Sequence, residues 1–124
     1  MVRILVDDGI ETMAGIIGSG IVLRPTHAAI GTGSDTLTAG DTALLTETDR
    51  NAFTSVDLTV AKDATFVADF SSTEISGTAM QEYGLFNAAA AGSMFNREII
   101  STITFEGDRE LQLQTTFRFA KSGA

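Results

Sequence analysis

The stretch RELQLQTTFRFA, from Arg109 to Ala120, carries the clearest structural signal in the chain. Its side chains alternate between a mainly apolar set and a polar set. The first set comprises Leu111, Leu113, Thr115, Phe117 and Phe119, and the second comprises Gln112, Gln114, Thr116 and Arg118. Because successive side chains of a strand point to opposite faces of a sheet, this period of two predicts a β-strand with one buried face. The preceding EGDR predicts the turn that leads into this strand from TITF.

A similar alternation fills FTSVDLTVAKDATFVADF, residues 53–70. Its two apolar series are Val56, Leu58 and Val60, followed by Phe66, Ala68 and Phe70. The polar AKDA lies between the two series, so the segment predicts two strands joined as a hairpin.

Four further segments contain short apolar runs bounded by turn residues, namely VRILV (2–6), THAAIG (26–31), AMQEYGLFNAA (79–89) and SMFNREIISTITF (93–105). The small residues NAAAAGS separate the last two and predict a loop. Six or seven strands with close turns and one helix predict a mainly β fold, either an antiparallel β-sandwich or a jelly-roll-like domain with one short N-terminal helix. At 124 residues the chain is expected to form a single domain, with an N-terminal arm and helix in 1–20 and the β-sandwich in 21–124.

The one helical pattern is DDGIETMAGIIGSG, residues 7–20. Its apolar residues recur at three- and four-residue spacing and are Ile10, Met13, Ile16 and Ile17. Asp7 or Asp8 can cap the start, and Gly18 or Gly20 supplies the stop. Because a helix of two to three turns is unstable alone, its apolar stripe must pack on a partner surface. These four residues are therefore candidate contacts between subunits of an oligomer.

Composition excludes several classes of function. The chain has no cysteine, so it forms neither a disulfide nor a thiolate metal site, and one histidine cannot build an imidazole-rich metal centre. A formal net charge of -8 opposes binding to nucleic acid. No apolar run approaches the ~20 residues that cross a bilayer, and Asp7 and Asp8 interrupt the N-terminal run, so we expect neither a membrane span nor a signal peptide. The acidic surface fits either a protein that works in high salt or an ordinary acidic isoelectric point.

The glycine-rich stretch AIGTGSDTLTAGDTAL, residues 29–44, suggests a phosphate loop but lacks its essential residues. It has no lysine for the Walker pattern, and Thr36 stands where the dinucleotide pattern needs a third glycine. Asp35 and Asp41, with Asp49, are weak candidates for a calcium site because carboxylates are hard oxygen ligands. Their spacing does not match a D-x-[DN]-x-[DN]-G loop, which favours a polar turn bonded to its own backbone.

No group of residues has the pattern of a catalytic site. The carboxylate pairs that could perform acid–base chemistry are Glu74 with Glu82 and Glu106 with Glu110, and most of these residues fall in predicted turns or on solvent faces. His27 has no G-x-S-x-G elbow beside it to present a nucleophile. Phenylalanines at strand spacing indicate core residues rather than a sugar-binding platform, which favours tryptophan and tyrosine. We therefore expect a protein that is not an enzyme and has no cofactor.

Two longer segments, HAAIGTGSDTLTAGDTALLTETDRNAF and QEYGLFNAAAAGSMFNREI, resemble a family of small structural proteins of tailed bacterial and archaeal viruses. They are also similar to the N-terminal module of phage tail-collar and tail-fibre proteins. The shared pattern is an apolar strand ending in GTG, then DTAL, an acid and an arginine, followed by an acid before GLF and a second arginine. The matching positions are Gly31, Thr32, Gly33, Asp41, Thr42, Ala43, Leu44, Glu47, Arg50, Glu82, Gly84, Leu85, Phe86 and Arg97.

The resemblance implies a non-enzymatic virion protein. It would be a homo-oligomer on the particle surface, either a capsid decoration or turret component, or a tail component at the baseplate or fibre attachment. Its partners would be copies of itself and virion proteins such as the major capsid protein or tail and baseplate proteins, and it would be made in the host cytoplasm. The alternative is a β-sandwich module that binds a glycan or another host surface, with Tyr83 as a candidate contact.

The two arginines of the shared pattern each follow acid-bearing stretches. Arg50 and Arg97 either pair with Glu47 or Glu82, across strands or across subunits, and thereby fix the register, or they are solvated.

Overall fold

The helix and the strands lie on segments with an apolar pattern, except for one polar strand at Glu47–Ala52. A computed structural model describes residues 2–19 and 24–119, so Gly20 and the segments 21–23 and 120–124 of the predicted sandwich lie outside the described residues. The elements are β1 (Val2–Leu5), α1 (Asp7–Ser19), β2 (His27–Gly31), β3 (Glu47–Ala52), β4 (Ser55–Asp57), β5 (Asp63–Phe70), β6 (Ala79–Phe86), β7 (Met94–Thr104) and β8 (Leu111–Arg118).

The strands form two sheets. One sheet has five strands in the order β1-β7-β6-β2-β3, and the other has three in the order β4-β5-β8. Every pairing is antiparallel. The prediction of a mainly β fold with one short N-terminal helix is therefore confirmed, as an antiparallel β-sandwich.

One hydrophobic core lies between the two sheets. Ile30 and Leu85 of the larger sheet belong to the same buried cluster as Phe66 of the smaller one. The Phe66 ring centroid lies 5.0 Å from that of Phe53 and 5.5 Å from that of Phe117. Burial of each such side chain contributes roughly 1.5–3 kcal/mol to folding, so the alternating residues are the main source of stability.

A second, smaller core lies on the outer face of the five-stranded sheet. Ala29, Phe86 and Met94 face outward from neighbouring strands, and Leu44 covers them. Leu44 comes from the segment 32–46 that connects β2 to β3, hereafter the covering loop. Leu44 is buried there, whereas its neighbour Leu45 is exposed. The covering loop positions the residues of the candidate site.

Helix α1 docks on β7 through its first half. An added Cβ at Gly9 would lie 2.6 Å from the Phe95 carbonyl oxygen, so the helix backbone can approach this strand only at a glycine. Met13 packs against the main core, whereas Ile10 and Ile17 are 48% and 86% exposed. Only part of the predicted apolar stripe therefore docks on the domain. No helix in the described ranges is both long enough and apolar enough to cross a membrane.

Two strand predictions need correction. The strand through Val56 ends at Asp57, because the Asp57 carboxylate accepts a hydrogen bond from the Thr59 N–H and turns the chain, which leaves Leu58 and Val60 exposed. At the other end of the sequence, Phe119 follows the last residue of β8 and is exposed. The predicted EGDR turn does connect β7 to β8, and it carries the chain from the five-stranded to the three-stranded sheet.

Strand β3 was not predicted. Its sequence, ETDRNA, has no apolar alternation, and it pairs only with β2 at the edge of the five-stranded sheet. An edge strand with polar side chains is compatible with solvent on its open side, so neither apolar periodicity nor β-propensity marks it.

Candidate functional site

The residues of the shared pattern converge in space although they span positions 31–97 of the chain. Leu85 points into the main core. The others lie on or over the outer face of the five-stranded sheet, where two arginines organise them. We define the Arg97 cluster as Arg97, Glu82, Asp41 and Asp35, and the Arg50 cluster as Arg50, Glu47 and Phe86.

The Arg97 guanidinium binds three carboxylates while its side chain is only 1% exposed. Nε and Nη2 donate to Glu82 Oε1 at 3.1 and 2.7 Å. Nη1 donates to Asp41 Oδ2 at 3.0 Å, and Nη2 also donates to Asp35 Oδ1. Because Glu82 and Arg97 lie on the paired strands β6 and β7, the sheet holds the first contact, while the covering loop supplies both aspartates.

The Glu82 carboxylate is fully buried and accepts five hydrogen bonds. Two come from Arg97. The other three come from backbone N–H groups of the covering loop, with distances of 2.7 Å from Gly33, 2.9 Å from Leu45 and 2.8 Å from Thr46. A buried carboxylate is stable only when its lone pairs are so occupied. Glu82 therefore fastens both ends of the covering loop to the sheet.

Two glycines of the GTG motif make room for this carboxylate. An added Cβ at Gly31 would lie 2.7 Å from Glu82 Oε2, and one at Gly33 would lie 2.5 Å from the same oxygen. Such contacts are shorter than carbon and oxygen tolerate. The motif thus requires glycine for close approach to a side chain of the same chain, not to a bound phosphate.

The electrostatics of the Arg97 cluster favour the charged forms. Burial alone would raise the pKa of Asp41, but hydrogen bonds from the Thr38 side chain and backbone, and from Arg97, outweigh burial and lower it. Burial would likewise lower the pKa of Arg97, yet its hydrogen bonds to Asp35, Glu82 and Asp41 raise it above its ordinary value. The guanidinium and the Asp41 carboxylate are therefore both ionised at neutral pH.

The Arg50 cluster fastens a second loop. Arg50 makes a bidentate pair with Glu47, at 2.9 and 2.7 Å, and its guanidinium carbon lies 3.7 Å from the centre of the Phe86 ring. Its Nη1 donates to the carbonyl oxygens of Ala88 and Ala91 at 3.0 and 2.7 Å. The edge strand β3 is thereby joined to the alanine-rich turn between β6 and β7.

The predicted pairing of both arginines is therefore confirmed, with a difference in geometry. Arg97 pairs with Glu82 across two strands, as expected. Arg50 pairs with Glu47 within one strand, three residues apart, so that contact cannot fix the register between strands.

The candidate metal and catalytic residues do not assemble into one site. Asp35 and Asp41 bind the guanidinium of Arg97, while Asp49 lies on β3. Across residues 2–19 and 24–119, no group of three or more metal-binding side chains has suitable geometry. His27 Nδ1 lies 2.8 Å from the Thr26 hydroxyl, and Glu74 accepts hydrogen bonds from Asn51 and Ser71. Glu82 is buried, which corrects the expectation of a turn or solvent face.

An apolar surface, unlike the charged clusters above, lies between α1 and β8. Two adjacent open cavities, of about 250 and 220 Å³, share Met13, Phe117 and Phe119 in their walls. Ile17 lines the second cavity, and Asn96 lines the first. The Asn96 Nδ2 atom has no hydrogen-bond partner among the described residues. Three of the four candidate oligomer contacts, Met13, Ile16 and Ile17, thus border an apolar groove.

Comparison with known proteins adds no assignment, since no protein-family model, curated protein or solved structure matches the chain.

Sequence reasoning missed the central role of Glu82 and the convergence of Asp35 and Asp41 on Arg97. The available signal was the spacing of two glycines around Thr32 at the end of an apolar strand, together with a lone acid inside the otherwise apolar run of β6. A buried acid in such a run needs several donors, and a glycine-rich loop can bring backbone N–H groups close enough.

Proposed function

We propose that the chain is a non-enzymatic structural module of a tailed-virus particle, in which several copies are mounted on the capsid surface or on the tail. The observation that carries the proposal is the convergence of the shared pattern. Its charged residues are engaged with the protein's own loops and strands, and Glu82 and Arg97 have almost no surface on which to meet a substrate. A motif that fastens loops is typical of a scaffold rather than a reaction site.

The exposed half of the helix stripe supports a partner-binding role. Ile10 and Ile17 project from α1, which is otherwise anchored to the sandwich through Gly9 and Met13. Exposed apolar groups beside an apolar groove favour a protein partner. We assign this surface to attachment, with another copy or a particle protein such as the major capsid or a baseplate protein as the partner.

The proposal is tested by cosedimentation of the purified chain with emptied heads and, separately, with detached tails of the virus that encodes it. We expect the chain to pellet with one of the two. Ile17→Glu should abolish pelleting, because a charge replaces an apolar contact, whereas the matched control Leu58→Glu changes another largely exposed apolar residue, in the β4–β5 turn, and should not. A chain that pellets with neither structure overturns the proposal.

The glycan-binding alternative has less support. Its candidate contact, Tyr83, is buried in the main core and offers no ring face to a sugar.

A further inference from the structure

The strand β8 leaves one edge of the three-stranded sheet open. It pairs with β5 over eight residues in a continuous register, and no other strand of the described ranges lies on its far side. Exposed edges are usually protected by shortness, charge, proline or a bulge. The other edge strands have such protection, since β1 has four residues, β4 has three, and β3 carries Glu47, Asp49 and Arg50. Strand β8 has eight residues, no bulge, no proline and one charged residue, Arg118.

The backbone groups on this open edge can be identified from the register. The Phe119 N–H donates to the Lys62 carbonyl, which continues the ladder in which Arg118 faces Asp63. Hydrogen-bonded and non-hydrogen-bonded pairs alternate in an antiparallel ladder. The odd-numbered residues of β8 therefore bond to β5, and the even-numbered ones, Gln112, Gln114, Thr116 and Arg118, direct their N–H and C=O groups to the open edge.

We propose that this edge pairs with the β8 strand of a second copy of the chain, antiparallel and about a two-fold axis at Gln114. The inference rests on the self-association contained in the proposed function and assigns it to this edge, which leaves the exposed stripe of α1 for a particle protein. The two three-stranded sheets then become one six-stranded sheet. Because both copies use the same strand, neither has a free β8 edge left, and this contact ends at a dimer.

Charge complementarity favours a second copy of the chain as the partner of this edge. About an axis at Gln114, Arg118 of each copy faces Glu110 of the other, and Gln112 faces Thr116, so each opposed pair is either oppositely charged or uncharged. Both Glu110 and Arg118 are exposed, and the Arg118 guanidinium, whose Nε and Nη2 bind Asp63 of its own chain, keeps its Nη1 donors for such a partner. The net charge of -8 makes two copies repel each other in most orientations. Strand β8 itself contains no acidic residue, so pairing along it avoids this repulsion.

The apolar groove provides space for the added strand. The first cavity lies beside β8 and is bounded by Leu5 of β1, Met13 of α1 and Phe117 of β8. In the proposed register Leu111 of the second copy faces Phe117 and lies on the inner side of the sheet, next to this cavity. Pairing would therefore add both backbone hydrogen bonds and apolar burial.

The test is a proline at the centre of the edge. Gln114→Pro removes an outward N–H without removing a β5–β8 hydrogen bond, while the control Gln114→Thr keeps the N–H and changes only the side chain. Sedimentation equilibrium should give a dimer for the parent and for Gln114→Thr, and a dissociation constant raised about tenfold or more for Gln114→Pro. Circular dichroism and urea denaturation of each variant verify the fold.

A charge exchange tests the register and does not depend on a proline variant that folds. Glu110→Arg places two arginines opposite each other and should weaken the dimer, and adding Arg118→Glu together with Asp63→Asn, which removes the carboxylate opposite position 118 in the same chain, should restore it. A monomeric parent at millimolar concentration overturns the inference, as does a dimer unaffected by both Gln114→Pro and Glu110→Arg. A dimer of this kind that binds neither heads nor tails overturns the proposed function and leaves the inference standing.

Discussion

The outer faces of the two sheets each carry an arginine paired with carboxylate, and the two pairs differ mainly in burial. On the five-stranded sheet, Arg97 is 1% exposed under the covering loop. On the three-stranded sheet, Arg118 makes an equally regular bidentate pair with Asp63, at 2.9 Å for both bonds, yet its side chain is 71% exposed. Similar bond lengths therefore accompany very different surroundings.

The difference shows what an ion pair contributes when water is excluded. The Arg118 side of this pair is open to water, which can replace the guanidinium beside the less exposed Asp63 (9%), so losing the pair should cost much less than losing a buried one. In the Arg97 cluster, removal of the arginine leaves Glu82 buried without its counter-ion and releases two aspartates of the covering loop. Stability should therefore depend on Arg97 and hardly on Arg118.

The largest expected effect is that of Arg97→Met. It replaces the guanidinium side chain by a shorter, unbranched and uncharged one, and we expect the free energy of unfolding to fall by about 3–5 kcal/mol because a buried carboxylate loses its partner. Urea denaturation followed by circular dichroism measures it.

The matched control is Arg118→Met, which removes the surface pair and, at a protein concentration at which the chain is monomeric, should lower the denaturation midpoint far less than Arg97→Met does. Adding Glu82→Leu to Arg97→Met should not restore stability, because three N–H groups of the covering loop would then lack their acceptor. Equal decreases in the free energy of unfolding for Arg97→Met and Arg118→Met would contradict the expected difference between the buried and the exposed arginine.

A smaller effect is expected for Gly33→Ala. The added methyl would lie 2.5 Å from both Glu82 Oε2 and the Leu45 Cβ, so the covering loop must shift, at a loss of about 1–3 kcal/mol. Gly40→Ala is the control, because nothing lies within 4 Å of the added Cβ in the same loop. Denaturation midpoints of the two variants should separate clearly, and coincident midpoints would refute the role given to Gly33.

The smallest expected effect is on the way in which the folding stability depends on pH. The pKa of Asp41 is lowered from its ordinary 3.8, so its ionised form stabilises the fold above that value, and this contribution is lost as the pH falls through the lower, folded-state pKa. Between about pH 5 and pH 2, Asp41→Asn should therefore lose less stability than the parent chain. Thr38→Val removes the hydroxyl that donates to Asp41 at 2.8 Å and should shift the parent's acid transition to higher pH.

Unfolding curves at several pH values give both results. An acid transition that is identical in the parent and Asp41→Asn would show that this carboxylate is not stabilised in the folded state.

The sequence was most informative where burial follows a simple period. Alternation in β5 and β8 predicted which side chains form the core, because each strand has one face against the other sheet and one against solvent. The polar edge strand β3 and the early end of β4 were not predictable in this way, since neither involves an apolar face.

The candidate site was predictable only as a set of residues. The pairing of Arg97 with Glu82 was foreseen as one of two alternatives, and Arg50 with Glu47 likewise. The burial of Glu82 was not foreseen, because it depends on three backbone N–H groups of a loop that lies 36 to 49 residues earlier in the chain. Local periodicity contains no information about such distant donors.

The position of Glu82 has a consequence for the order of assembly. Its contact with Arg97 spans 15 residues within one hairpin, whereas its contact with Gly33 spans 49. Closure of the longer segment has the larger entropic penalty, so the β6–β7 hairpin can form its ion pair before the covering loop docks. During synthesis the loop leaves the ribosome well ahead of its anchor, and it becomes fixed only after the chain has been extended through Arg97.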